Sequence, residues 1–233
     1  MLTHREIVLA AGIWTLSSCM PRPGEIAPPV VRRTEAVIEV PAGAEALDID
    51  PDRSAITVLV RRAGPLAQLG HNHVIVSSRE DGIAWLGRDL AGCGFEIRLP
   101  VTDFVVDDPA ARAVAGPDFS GAVSDDARQG TYANMLRQEV LDAANYPEVV
   151  VSATRLGGTW ERPIAMARFT LRGATRAIDV PVEIQREDAL LTARGTLRVR
   201  QTDFGITPFS VGGGAVQVAD DVEIRFEIVA TRR

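Results

Sequence analysis

Apolar side chains at every second position constrain this chain more than any other feature. Phe95, Ile97 and Leu99 alternate with Glu96 and Arg98, and Val222, Ile224, Phe226 and Ile228 alternate with Glu223, Arg225 and Glu227. Leu197 and Val199 sit between Arg198 and Arg200, and Phe169 and Leu171 between Arg168, Thr170 and Arg172. Val149 and Val151 follow Pro147, and Ile56, Val58 and Val60 make a further face that Leu59 blurs. Side chains of a strand point alternately to its two faces, so each stretch reads as a strand with one apolar and one charged side. Turn signals separate them at Glu80-Asp81-Gly82, Leu156-Gly157-Gly158 and Glu187-Asp188. Many strands with one apolar face each bury those faces by curling into a barrel, which also leaves few edges open to aggregation. The fold class read from this is all-β, an antiparallel barrel.

One stretch departs from that period. Tyr132, Met135, Leu136, Val140 and Leu141 form a single apolar stripe at helical spacing. They predict a short helical segment near residues 129–142, packed across one barrel end. Pro147 then forces its neighbour extended and marks the return to strand. An eight-stranded barrel can be filled by its own side chains or can hold one small ligand. Here the inward candidates are mostly Val, Ile and Leu, and aromatic residues make up only 5% of the chain. That shortage of large rings favours a cavity.

The N-terminus has a different character. A short start with one Arg precedes the uncharged apolar run Ile7–Leu16, then Ser17-Ser18-Cys19. This describes a secretory signal over residues 1–18, too short to span a membrane. Leu16-Ser17-Ser18-Cys19 also resembles a bacterial lipobox, which makes Cys19 the lipidation site and anchors the mature protein to a bacterial membrane, in the periplasm. Residues 19–45 carry Pro21, Pro23, Pro28, Pro29 and Pro41 and read as a tether, with a short strand at Glu35–Val40 in view. Residues 46–233 are then one domain, large enough for a full core.

Charge and composition narrow the function. The net charge of −6 argues against nucleic acid as a partner. All 25 basic residues are Arg, which removes lysine chemistry. Cys93 has no disulfide partner once Cys19 is acylated and reads as a small buried hydrophobe. No phosphate loop, serine elbow or Cys-x-x-Cys occurs, and nothing calls for a cofactor. The pairs Asp107-Asp108, Asp125-Asp126 and Asp220-Asp221 read as solvated or capping positions beside turns. Trp85 and Trp160 read as core or rim packing. The loop Thr207–Gly214 reads as a surface hairpin that could alternatively gate a barrel mouth.

His71 and His73 project to one side of an extended strand, a spacing that can grip a metal. No third histidine follows them, so a zinc site would need distant carboxylates. Three readings stay open: hydrogen bonding at the barrel mouth, contact with a ligand's polar head, and a metal-assisted hydrolase.

Three stretches taken together resemble the YceI-like family of periplasmic polyisoprenoid-binding proteins. They supply Leu136, Asp142, Tyr146 and Pro147, then Thr170, Leu171, Gly173 and Thr175, then Asp203, Phe204 and Gly205, in that family's order. The resemblance runs from Leu47 to Ala230. It implies an eight-stranded lipocalin-like barrel that binds or transports a polyisoprenoid, quinone or similar lipid without catalysis. The implied ligand-lining residues are Ile56, Val58 and Val60; Phe95, Ile97 and Leu99; Val149 and Val151; Phe169 and Leu171; Leu197 and Val199; and Ile224 and Phe226. His71, Asn72, His73 and Arg137 are the implied polar head contacts. Where the family carries Gly-x-Phe, this chain has Ile83-Ala84-Trp85-Leu86-Gly87, so its second strand departs from the pattern. The alternative is a structural or adaptor lipoprotein with a filled barrel. Whether two barrels pair as a homodimer stays open.

Overall fold

The computed structural model describes residues 39–233. The signal, Cys19 and most of the tether lie outside the described residues. The alternating stretches become β1 (Glu45–Ile49), β2 (Ala55–Ala63), β3 (His73–Ser77), β4 (Asp81–Leu86), β5 (Gly94–Pro100) and β6 (Phe104–Val106). Two helices follow, α1 (Pro109–Ala115) and α2 (Asp125–Met135). Then come β7 (Glu148–Ala153), β8 (Leu156–Thr159), β9 (Arg162–Leu171), β10 (Ala174–Pro181), β11 (Glu183–Glu187), β12 (Leu190–Arg200), the two-residue β13 (Ser210–Val211) and β14 (Val216–Arg232). Every pairing among them is antiparallel.

Several of these segments are one run of chain interrupted by a short break. β1 and β2 both pair with the same edge of β14, at Ile49↔Ala230 and Ala55↔Glu227, on either side of an interruption at residues 50–54. β3 and β4 flank a break at 78–80, and β5 and β6 one at 101–103. The ladder order runs β10-β9-β7-β5-β4-β1-β14-β2-β3-β6, with β12 on the second edge of β14 and β11 beside β12. β10 and β12 share no ladder. β10 continues through Val182, whose N–H donates to the Pro163 carbonyl of β9 at 3.0 Å, into β11, and β11 is the segment that pairs with β12. The antiparallel all-β fold is as expected, but the segments form one fourteen-stranded sheet whose ladder does not close into a ring of eight.

Inward faces match the alternation. Leu47, Ile49, Ile56, Ile97, Leu99, Leu191 and Ile228 are buried in one cluster, and Ala165, Ala167, Val180 and Leu197 in a second. Leu59, which blurred the pattern, faces outward yet is fully buried. It packs with Val74, Ala115 and Phe119, because α1 lies over this part of the outer wall. The guanidinium of Arg61 sits 5.4 Å from the Phe119 ring centre and covers its other side.

The helix differs from its expected span. α2 begins at Asp125 because the Ser124 hydroxyl caps it, accepting from the Ala127 N–H at 3.3 Å. It ends at Met135, and residues 136–146 fold into successive turns, with Asp142 at a positive φ of 49°. The apolar stripe survives across this boundary: Tyr132, Met135, Leu136 and Leu141 all pack on the barrel core.

Gly195 is required by close approach. A Cβ there would lie 2.5 Å from Cζ of Phe226, its cross-strand partner, and 2.9 Å from the Pro181 carbonyl. Gly195→Val is expected to cost about 1–3 kcal/mol by overpacking, read as a lowered midpoint in urea unfolding. Glu80, in the break between β3 and β4, is 1% exposed, with Ser77 and the Ile56 backbone the polar groups nearest its carboxyl. Burial pushes its carboxyl above the ordinary 4.5. A raised folded value means the ionised group opposes folding at neutral pH, and that penalty fades as pH falls toward 4.5. Glu80→Gln is thus expected to raise the melting temperature at pH 7.5 by more than it does at pH 4.5, as thermal unfolding at the two pH values would show.

Candidate functional site

The barrel encloses a cavity of about 400 Å³. All fourteen apolar residues named as the expected lining, from Ile56 on β2 to Phe226 on β14, stand on its wall. They do so because the two-residue period of each strand delivers every second side chain to the same face. The wall contains no Arg, Asp or Glu. Its polar side chains are His73, Thr131, Asn134 and Gln201, at the end where β2 finishes and β3 begins, together with Trp85 and Cys93 at the opposite end.

The polar end is covered by two segments. From one side come α2 and the turns after it, placing Thr131, Asn134, Met135, Val140 and Leu141 on the wall. From the other comes the connection between β12 and β13, with Gln201, Phe204, Ile206 and Phe209. The β9–β10 turn fastens both. Gly173, at φ +73°, lies under the Tyr146 ring so closely that a Cβ would sit 2.8 Å from Cε1. Arg172 donates to the Gly205 carbonyl, and Gly205 itself ends its turn in the left-handed conformation at φ +70°. Thr170 and Thr175 bridge the base of the turn through their hydroxyls at 2.9 Å. The three resembling stretches therefore meet at one place, the covered end of the cavity.

The sequence's polar candidates separate here. His73 faces inward, opposite Val60, and reaches the wall. His71 is exposed, its ring 6.3 Å from that of His73. Asn72 accepts from the Arg62 N–H at 2.9 Å and donates to the Asp118 carbonyl at 2.8 Å, which occupies its side chain in holding loops together. Arg137 is exposed and pairs with Asn134 and Glu139. Among the described residues no group of three or more His, Cys, Asp or Glu could hold a metal ion.

Behind His73 stands Asp107, read from the sequence as a solvated or capping position beside a turn. Asp107 is 1% exposed, not solvated. Its carboxylate takes the Val74 N–H at 2.8 Å, His73 Nδ1 at 2.6 Å and the Arg112 guanidinium. Arg112 also donates to the Asn72 and Gly121 carbonyls, at 2.9 and 2.7 Å. Burial by itself pushes the Asp107 carboxyl up, but the hydrogen bonds from His73 and Val74, the charge attraction of the His73 ring and the Arg112 hydrogen bond outweigh it and hold the group below its ordinary 3.8. Its neighbour Asp108 does the capping work expected of the pair, accepting from the N–H groups of Ala110 and Ala111. No local signal could have separated the two, because His73 lies 34 positions away.

At the opposite end Cys93 is buried, and burial pushes its thiol above the ordinary 9.0, which disfavours the reactive thiolate.

The sequence model of a family described as the YceI-like domain matches residues 48–230. Among solved structures, BcnA from Burkholderia cenocepacia is similar, at 18% identity with a TM-score of 0.59 over 79% of this chain and all of that one. A polyisoprenoid-binding domain from Saccharophagus degradans, implicated in plant cell wall breakdown, matches at 10% identity and a TM-score of 0.54. That match covers 81% of this chain and 99% of the domain. Likeness at these identities speaks to the fold. No curated protein sequence matches this chain.

Removing the Asp107 carboxylate leaves the buried Arg112 without its counter-charge, so Asp107→Ala is expected to destabilise by about 3–5 kcal/mol. Because the folded value is depressed, this stability is present above the unfolded pKa near 3.8 and is lost as pH falls below it. Urea titrations of the wild type and the variant at pH 7 and pH 3 should show the gap between them narrowing at the lower pH.

Proposed function

The chain belongs to the YceI-like family, and from that premise we propose that it is a non-catalytic extracytoplasmic carrier holding a long apolar ligand inside its barrel. A polyisoprenoid, a quinone or a similar lipid fits this description. The observation that carries the reading is a cavity of about 400 Å³ whose wall has no charged side chain. Ligand pockets commonly span about 300–1,000 Å³. A hydrocarbon chain entering such a space gains about 25 cal/mol for each Å² of apolar surface removed from water. The charged outer faces of the same strands keep the protein in solution while the inner faces hold the lipid.

The polyisoprenoid-binding title of the Saccharophagus degradans domain supports the same ligand class. In this reading residues 1–18 export the chain, Cys19 carries the lipid anchor and residues 19–45 act as tether, leaving the barrel on the periplasmic face of a membrane. The barrel is hollow among the described residues, so an adaptor built on a filled interior is not what these side chains form. Of the head contacts read from the sequence, His73 is the one on the cavity wall.

Native mass spectrometry with organic extraction, on protein purified from its own host, is expected to find a lipid of prenyl or quinone size bound at one per chain. Val58→Asp places a charge on the wall, and burying it unpaired costs far more than the ligand returns. The variant should purify without the adduct. A wild-type protein that is free of lipid and takes up no added isoprenoid would refute the carrier.

A further inference from the structure

The inference concerns the chemistry of the ligand's polar end, and it rests on the carrier reading. Three facts converge on His73. It is the imidazole on the cavity wall, at the end that carries the other neutral polar side chains. Its Nδ1 is 2.6 Å from Oδ2 of Asp107. Asp107 already receives the Val74 N–H and the Arg112 guanidinium, and it is ionised at neutral pH, so it has only lone pairs to offer. The proton in the His73–Asp107 bond therefore belongs to Nδ1.

That assignment settles the other nitrogen. In a neutral imidazole with Nδ1 protonated, Nε2 is an acceptor. The single carboxylate of Asp107 is already paired with the single guanidinium of Arg112, so the Nδ1–H bond is a third contact on an ion pair that is complete without it. Arg112 is itself 8% exposed, is spent on Asp107 and two carbonyls, and does not reach the wall. The neighbouring wall amides already have partners: Gln201 donates to the Ala219 carbonyl at 2.8 Å, and Asn134 accepts from Arg137. No arginine stands on the wall to meet an anionic head, and an unpaired buried charge is costly.

We propose that His73 Nε2 is the specificity-determining acceptor of the cavity and that it selects a long apolar ligand ending in an uncharged hydrogen-bond donor, an alcohol, phenol or amide N–H, over a phosphorylated one. Asp107 is the positioning residue, fixing the tautomer and the ring orientation from behind. Ligand and imidazole meet through a bond worth a few-fold to about tenfold in affinity, because one neutral hydrogen bond nets about 1 kcal/mol.

The test compares three C20 probes on the full chain by equilibrium dialysis: geranylgeraniol, its methyl ether, and its diphosphate. The alcohol is expected to bind roughly five- to tenfold tighter than the ether, which keeps the chain and loses the donor. The diphosphate should bind at least tenfold weaker than the alcohol. His73→Phe keeps a ring at the wall, and there the alcohol and the ether should bind alike, with ether affinity changed less than about twofold. Should that variant fail to fold, the wild-type preference decides alone. Equal wild-type binding of alcohol and ether, or a diphosphate that matches the alcohol, overturns the proposal while leaving the carrier intact. Failure of all three probes to bind overturns the carrier reading and this inference with it.

Discussion

The backbone hydrogen bonding of β14 is what the rest of the molecule depends on. This strand runs from Val216 to Arg232 and carries β12 along one edge, from Arg200↔Asp221 to Leu190↔Thr231. Its other edge is divided between β2, up to Ala55↔Glu227, and β1, from Ile49↔Ala230. One strand therefore holds two neighbours that belong to different parts of the barrel. At the division Val229 serves both sides: its N–H donates to the Ser54 hydroxyl at 3.0 Å, and its carbonyl accepts the Asp50 N–H at 2.8 Å. Those bonds keep the interruption at residues 50–54 from leaving orphaned backbone groups in a buried wall.

That division explains why the barrel has both a cavity and a covered end. Beyond it β2, β3 and β6 continue on one branch, while β4, β5, β7, β9 and β10 follow β1 on the other. The branches separate where β6 leaves β5 at residues 101–103, since β7 pairs with β5 only as far as Pro100↔Glu148. α2 contacts β6 there, and the Tyr132 hydroxyl donates to the Thr102 carbonyl at 3.0 Å. A sheet that forks needs a cover at the fork, and the resembling stretches supply it.

The sequence carried the interior well for a physical reason. A strand's period of two is imposed by its backbone, so residues such as Val58, Ile97 and Ile224 could be assigned to one face without knowing any partner. What failed to show were features decided by contacts distant in sequence. Leu59 broke the alternation because α1 and Phe119, some sixty positions later, turn that stretch of outer wall into a second core. Asp107 looked like its neighbour Asp108, since burial against His73 and Arg112 leaves no local mark. The helix slid toward the N-terminus because the cap at Ser124 sets its start, whereas the apolar stripe also runs through turns that no helix continues. The family's glycine and threonine positions were legible, yet their purpose was not: Gly173 is small so that the Tyr146 ring can lie against it.

A cavity walled by aliphatic side chains binds by area, and area has no direction. A chain held only by burial could lie either way round and slide along the barrel, because the hydrophobic effect scales with surface removed from water and is indifferent to orientation. Orientation requires a polar group at one end, and its value is greatest where water is excluded. The Asp107 network meets that need at a low electrostatic cost, because a carboxylate and a guanidinium pair behind the wall and the imidazole of His73 is what reaches the cavity. A bare Arg at the same place would have bound anions tightly and would itself have needed a partner whenever the cavity was empty. With the guanidinium already paired behind it, the wall carries no arginine or carboxylate that an empty cavity would leave unpaired, which suits the carrier proposed above.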